Sequence, residues 1–240
     1  MSRYIFSPFT DIYFHLAAEE YLLKQSTDDV FMLWQDTSSV VLGRHQRVCA
    51  EIDCNWAEQQ RIQIARRFSG GGTVYHDLGN VNLTFIETVS RIPDFTAYLQ
   101  RTLDFLSSLG LNVQGDERLG IYLNKLKISG SAQCVYKDRV LYHCTLLYDT
   151  DLGVLNKVLS PQEKNIIDVS QVGYAVPSVR SEVTNIRNSH FTETVDDFKK
   201  IAFRYFSRGE AECFFNKEEL EVIGQLRESK YMQEDWIFSR

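Results

Sequence analysis

Apolar residues recur at helical spacing from Tyr13 to Lys24, with Leu16, Ala17, Tyr21 and Leu23 on the repeating stripe and Asp11 placed to cap the first turn. Short apolar runs at Val30 to Trp34 and Ser39 to Leu42 predict two strands paired with each other. Asp53-Cys54-Asn55-Trp56-Ala57-Glu58 opens a short helix whose acidic start suits the helix dipole. Strands flank the glycines at Gly70 to Gly72, Val81 to Ile86 continues the sheet, and Pro93 to Leu109 reads as a long helix closed by Gly110. Ile121 to Leu126 reads as strand, as does Val135 to Tyr148 with a turn at Lys137-Asp138. Further on, Ser160-Pro161-Gln162-Glu163 and Asn216-Lys217-Glu218-Glu219 each set a cap residue three positions before a glutamate, and Thr194-Val195-Asp196-Asp197 opens a helix through Tyr205. Strands dominate the first two-thirds and helices the last third, which predicts an α+β fold with a mixed, largely antiparallel sheet flanked by helices. No repeat or low-complexity linker divides the chain, so one domain is expected over residues 1–240, its helical third, from about residue 190 to 240, packed against the sheet.

Composition narrows the partners. The chain has 240 residues, 44% hydrophobic and 24% charged, enough for one sizeable core. A formal net charge of -6 argues against nucleic acid, which requires a basic face. Cys49, Cys54, Cys134, Cys144 and Cys213 are odd in number and irregularly spaced, which predicts reduced thiols and no structural metal. No leader-like start and no run of membrane-spanning length is seen, so a cytoplasmic protein without membrane contact is expected.

Candidate chemistry centres on Gly70-Gly71-Gly72, between Arg66-Arg67-Phe68-Ser69 and Thr73-Val74-Tyr75. Bare backbone there either cradles an anion or simply makes a hairpin turn. A second glycine-serine segment, Lys127-Ile128-Ser129-Gly130-Ser131-Ala132, also carries a cation at its edge, and two such loops suggest one shared anionic ligand. The first loop lacks the closing Gly-Lys-Ser/Thr of a nucleotide P-loop and the Gly-x-Gly-x-x-Gly spacing of a dinucleotide fingerprint.

The run from Arg66 to Asn80 resembles the signature of the lipoate-protein ligase family, and Lys127 to Gln133 resembles its second motif. Leu42-Gly43-Arg44-His45-Gln46, His143-Cys144-Thr145-Leu146-Leu147 and Ser178-Val179-Arg180-Ser181-Glu182-Val183-Thr184-Asn185 are similar to three further family elements, in the family's order. The resemblance implies the fold shared with biotin ligases and class II aminoacyl-tRNA synthetases. It also implies a single catalytic domain lacking the accessory C-terminal domain of full-length bacterial ligases. The implied reaction converts lipoate and ATP to lipoyl-AMP and then passes the lipoyl group to a lysine. The implied acceptors are lipoyl domains of the E2 subunits of 2-oxoacid dehydrogenases or the glycine cleavage H protein. ATP chemistry brings Mg²⁺ with it.

The same resemblance implies roles for residues. Lys127 is the catalytic cation between carboxylate and α-phosphate, whereas charge alone does not separate it from Lys125, two positions earlier on the same face of a regular strand. Arg67, Ser69, Gly70, Gly71, Gly72, Tyr75, Asn80, Asn82, Ser129, Gly130, Ala132 and Arg180 are the implied binders of ATP and lipoyl-adenylate. Trp34, Leu42 and His143 would line a narrow lipoate tunnel, and Arg66 is expected to face the other way. Each has a plainer alternative: a solvated lysine, turn-capping amides, ordinary core.

Departures from the pattern matter too. Glu117-Arg118-Leu119-Gly120-Ile121 stands where the family usually has Gly-Arg-Asn-Asp-Ile, Cys144 replaces a glycine, and the chain stops soon after Trp236. These suggest either that adenylation needs a separate accessory protein or that it has weakened. An octanoyl or lipoyl transferase working through a cysteine thioester without ATP is one alternative, and a non-catalytic lipoate binder another.

Overall fold

The computed structural model describes residues 2–89, 92–161 and 177–239. Its elements run β1 (Ser2–Phe6), α1 (Ile12–Lys24), β2 (Asp29–Trp34), β3 (Ser39–Leu42), α2 (Val48–Glu51), α3 (Cys54–Gln59), β4 (Gln63–Arg66), β5 (Val74–His76) and β6 (Asn80–Thr88). Then come α4 (Phe95–Ser108), β7 (Val113–Gly115), β8 (Ile121–Leu123), β9 (Leu126–Ser129), β10 (Ser131–Tyr136), β11 (Arg139–Leu147), α5 (Leu152–Val158), α6 (Val195–Ser207), α7 (Lys217–Leu226) and α8 (Glu234–Ile237).

The main sheet has the order β1-β2-β6-β11-β10, with β1 parallel to β2 and every other pairing antiparallel. Its central strands are buried on both faces, which is why β2 reads as an unbroken apolar run. One face, with Met32, Trp34 and Leu141, packs on Leu16, Leu22 and Leu23 of α1 and, behind that helix, on Ile223 of α7. The other, with Phe31, Leu83 and Tyr142, packs on Phe105 and Leu106 of α4 and Phe198 of α6. The helical third thus covers both faces.

Several helix starts follow their caps. Asp11 accepts the N–H groups of Tyr13 and Phe14, Asp53 that of Trp56, and Thr194 that of Asp197. Asn216 and Glu219 close a capping box. The cap expected at Ser160 to Glu163 falls partly on residues 162–163, outside the described residues.

Two strand expectations are corrected. β2 and β3 do not pair: β3 lies in a second sheet, β4-β3-β5, parallel to β4 and antiparallel to β5. Between them the chain is pinned by buried Asp36, whose carboxylate accepts from His15 Nδ1 at 2.6 Å and His76 Nδ1 at 3.0 Å. Ile121 to Leu126 is not one strand either. Asn124 and Lys125, at φ 51° and 69°, make a tight turn between β8 and β9. Lys125 therefore sits at a hairpin tip and does not share a strand face with Lys127. The third sheet is β7-β8-β9.

A C-terminal return, unforeseen in the sequence, buttresses the first glycine loop. Arg66 is completely buried: Nη1 donates to the carbonyls of Gly43, Arg44 and Gln46, and Nε to those of Trp236 and Ile237. Trp236 Nε1 answers by donating to the Arg66 carbonyl at 2.8 Å. The arginine side chain faces away from the cavity, as expected.

Candidate active site

A cavity of about 600 Å³ opens where the three sheets meet. Strand register dictates its floor. Trp34 on β2 is opposite Asn82 on β6, Asn82 is opposite Thr145 on β11, and the Thr145 N–H donates to the Gly130 carbonyl at 2.9 Å. All four line the cavity. In the next row His143 is opposite Ala132 of β10, and both line it as well.

The first glycine loop forms one wall, folded around Arg67. This buried guanidinium donates from Nε and Nη2 to the Gly70 carbonyl (3.1 and 2.7 Å), from Nη2 to Gly72 (2.6 Å) and from Nη1 to Val41 (3.1 Å). Burial pushes its pKa down to about 10, against the opposing charge of Glu19. Arg67 is thus chiefly a clamp on the loop carbonyls. Gly43 backs the loop so closely that a Cβ there would stand 2.0 Å from the Gly71 carbonyl oxygen. Among the described residues, the N–H groups of Gly70, Gly71 and Gly72 have no hydrogen-bond partner, so three backbone donors border the cavity unused.

Lys127 stands on β9 and lines the same cavity. Burial lowers its pKa, the Asp116 carboxylate opposes that shift, and Arg118 adds to it. Asp116 itself is occupied, accepting the N–H groups of Arg118 and Gly120 and the Tyr122 hydroxyl. Gly120 lets Lys127 pass close by, since a Cβ there would lie 3.2 Å from Lys127 Cε. Lys127 forms no ion pair among the described residues.

The Ser178–Asn185 segment joins the two loops. Glu182 accepts the Lys127 N–H at 2.8 Å, and the Thr184 N–H donates to the Lys127 carbonyl at 3.0 Å. Ser178 Oγ accepts the Thr73 N–H at 2.8 Å, while the Ser178 N–H donates to Glu51 at 3.1 Å.

His143 is held by Glu19 of α1, whose carboxylate accepts from Nδ1 at 2.9 and 3.0 Å, so Nε2 is left to accept from the Ser69 hydroxyl at 3.1 Å. Thr84 donates to Glu19 at 2.6 Å and accepts from Trp34 Nε1 at 2.8 Å, which fixes both aromatic walls through one buried acid.

Some anticipated residues do not reach the cavity. Tyr75 and Leu42 point the other way, into a cluster with Val40, Val48 and Ile52, because strand alternation presents Val41, Val74 and His76 to the cavity instead. Tyr75 hydroxyl meets only Ser38 Oγ. Asn80, two positions from Asn82 on β6, is outside the lining and donates to Asn82 Oδ1 at 2.9 Å. Ser129 is buried opposite Ile121. Arg180 is exposed and donates to Ser160, outside the lining, while Asn185 closes a pair of bonds with the Thr150 backbone. Of the anticipated set, Lys127, Arg67, Gly70, Gly71, Gly72, Asn82, Gly130, Ala132, Trp34 and His143 come together around one space, with Ser69 directly behind His143.

The thiols are poor nucleophile candidates. Cys144 is buried and its pKa is pushed up to about 12 by burial, and burial also raises that of Cys134. Among the described residues no group of three or more His, Cys, Asp or Glu side chains could hold a metal ion.

The chain is similar to known proteins in sequence and fold. A probable lipoate-protein ligase A of Mycoplasma pneumoniae is 31% identical, covering 100% of this chain and 72% of its own. Lipoate–protein ligase 1 of Staphylococcus aureus is 31% identical over 96% of this chain and 71% of its own. A bi-partite lipoate protein ligase from Thermoplasma acidophilum, studied structurally with its E2 lipoyl domain, superposes with a TM-score of 0.81 at 25% identity, over 99% of this chain and 95% of that one. Residues 11–207 match the model of the lipoyl protein ligase A/B catalytic domain, and the chain belongs to that family.

Proposed function

We propose that this protein is an ATP-dependent lipoate-protein ligase that forms lipoyl-AMP and then transfers the lipoyl group to a lysine of a carrier protein. The observation that carries this reading is the pairing, around one cavity, of Lys127, an ammonium without a salt-bridge partner among the described residues, with the backbone donors of Gly70 to Gly72, likewise unpartnered among them. Joining a carboxylate to an α-phosphate brings two anions within bonding distance, and fixed donors plus a cation relieve that repulsion most where transition-state charge grows. Partial burial strengthens the ammonium's field. The lipoyl chain would extend from Lys127 across the floor toward Trp34, with His143 along one side.

Magnesium would arrive on the nucleotide phosphates, since the chain offers no ligand cluster among the described residues. The acceptor would be a lipoyl domain of an E2 subunit or the glycine cleavage H protein, in line with the Thermoplasma ligase and its E2 lipoyl domain. That relative is bi-partite, and we propose that a second polypeptide assists this chain as well. ATP supply and five free thiols fit the cytoplasm. A thioester route is disfavoured by the high pKa of Cys144.

Lipoate-dependent exchange of labelled pyrophosphate into ATP tests the reading. Exchange that requires lipoate, with or without an added accessory protein, is the expected result. Its absence together with acyl-cysteine formation would refute it.

A further inference from the structure

Cys49 and Cys54 lie outside the cavity lining and take no part in the acyl chemistry. They meet at the elbow between two short helices: Cys49 stands in α2, Cys54 opens α3, and their Sγ atoms are 3.6 Å apart. The backbone between them is pinned. The Ile52 N–H donates to the Val48 carbonyl at 3.1 Å, the Asp53 N–H donates to the Val158 carbonyl at 2.9 Å, and the Ile52 side chain is buried. The sulfurs need to close by only ~1.5 Å to reach disulfide bonding distance.

Access to the two thiols differs. Cys49 is exposed and Cys54 is half-buried, so an incoming reagent meets Cys49 first. Burial pushes the Cys54 thiol up to about 12, and a hydrogen bond with Cys49, the charge of Cys49 and the charge of Asp53 add to that rise. Both Cys49 contributions end once that sulfur is bonded to another sulfur, which eases ionisation of Cys54 at the moment it is needed.

The elbow matters to the cavity because α2 anchors one of its corners. The Ser178 N–H donates to Glu51, the last residue of α2, at 3.1 Å, and Ser178 Oγ donates to Gln46 Oε1 at 3.3 Å. Gln46 and Ser178 both line the cavity, and Ser178 Oγ accepts the Thr73 N–H next to the first glycine loop.

We propose that Cys49 and Cys54 form a modification site, bridged reversibly by a low-molecular-weight disulfide such as oxidised glutathione, and that the bridge braces the anchor of Ser178. In the first step the Cys49 thiolate attacks one sulfur of the oxidant, whose S–S bond breaks and releases one glutathione thiol. In the second the Cys54 thiolate attacks Cys49 Sγ in the mixed disulfide and releases the other. The cysteines lose two electrons and two protons, and the protons leave on the two glutathione thiols. Because the fold already holds the sulfurs together, folding favours the bridge and the bridge in turn favours the folded elbow.

Glutathione buffers of graded redox ratio, an alkylating quench in denaturant and mass analysis of the tryptic peptide 48–61 test this, on the folded protein and on the chain in urea. The peptide is expected to lose two hydrogens with an equilibrium constant at least ~10-fold larger in the folded protein than in urea, while Cys134, Cys144 and Cys213 are alkylated. Cys54→Ser is expected to stop at a glutathione adduct on Cys49, and Cys49→Ser to stay unmodified. In the bridged protein, hydrogen exchange at the Thr73 and Ser178 amides is expected to slow at least ~3-fold. Equal constants in the folded and unfolded chains, or a glutathione adduct that persists on wild-type Cys49, would overturn the site. Exchange that is unchanged or faster would overturn the bracing.

Discussion

Lys127 is held at a cost to the fold. Burial lowers its pKa from the usual 10.5, so the unfolded chain holds that proton more tightly than the folded one. Between the folded and unfolded pKa values wild-type stability therefore climbs with pH, and below that window the cost of the buried charge is felt in full. Lys127→Met is expected to show a higher urea midpoint than wild type at pH 7, with the gap closing as pH rises toward 10.5. Its adenylation rate should fall at least ~100-fold. A variant less stable at pH 7, or one that still turns over, would contradict this assignment. Most of the cation and loop chemistry was legible because motif residues are contiguous. Parity was not: taking Leu42 and Tyr75 as contacts in place of Val41 and Val74 is a one-residue error, which in a strand selects the opposite face. Glu19 was overlooked, though it lies three positions after Leu16 and four before Leu23, on the buried stripe of its helix.

At the scale of elements, helices were legible from their caps, because Asp11, Asp53, Thr194 and Asn216 act on N–H groups two or three residues away. Strand partnership is non-local, and there the sequence misled. β3 pairs with β4 and β5, leaving β2 to β1 and β6, and the Asn124-Lys125 turn was hidden inside an apparently continuous run. The buttress of the first loop is equally non-local, since Arg66 binds carbonyls some 170 positions away. Arg66→Met removes donors to five carbonyls at once. We expect it to lower unfolding free energy by at least ~2 kcal/mol in urea denaturation and to expose α8 to protease. A change within ~0.5 kcal/mol, the range for surface sites, would show that the return is incidental.

On the scale of the whole molecule, α1 links the parts. One face of this helix packs on the main sheet and the other on α7, while Glu19 holds the cavity residue His143 and Glu20 takes Lys230 at 2.6 Å and the Tyr231 hydroxyl. The two glycine loops hang from different sheets, and the Ser178–Asn185 segment bridges them through Thr73 and Lys127. One space shared by a cation and an anion-ready loop is thus a product of the entire fold. The most direct test is mass spectrometry of a single turnover with lipoate and MgATP, carrier protein withheld and then added. Lipoyl-AMP should accumulate on wild type, vanish as lipoylated carrier appears, and fail to form on folded Lys127→Ala. Carrier lipoylated without any lipoyl-AMP, or lipoyl-AMP formed equally well by that variant, would contradict the account.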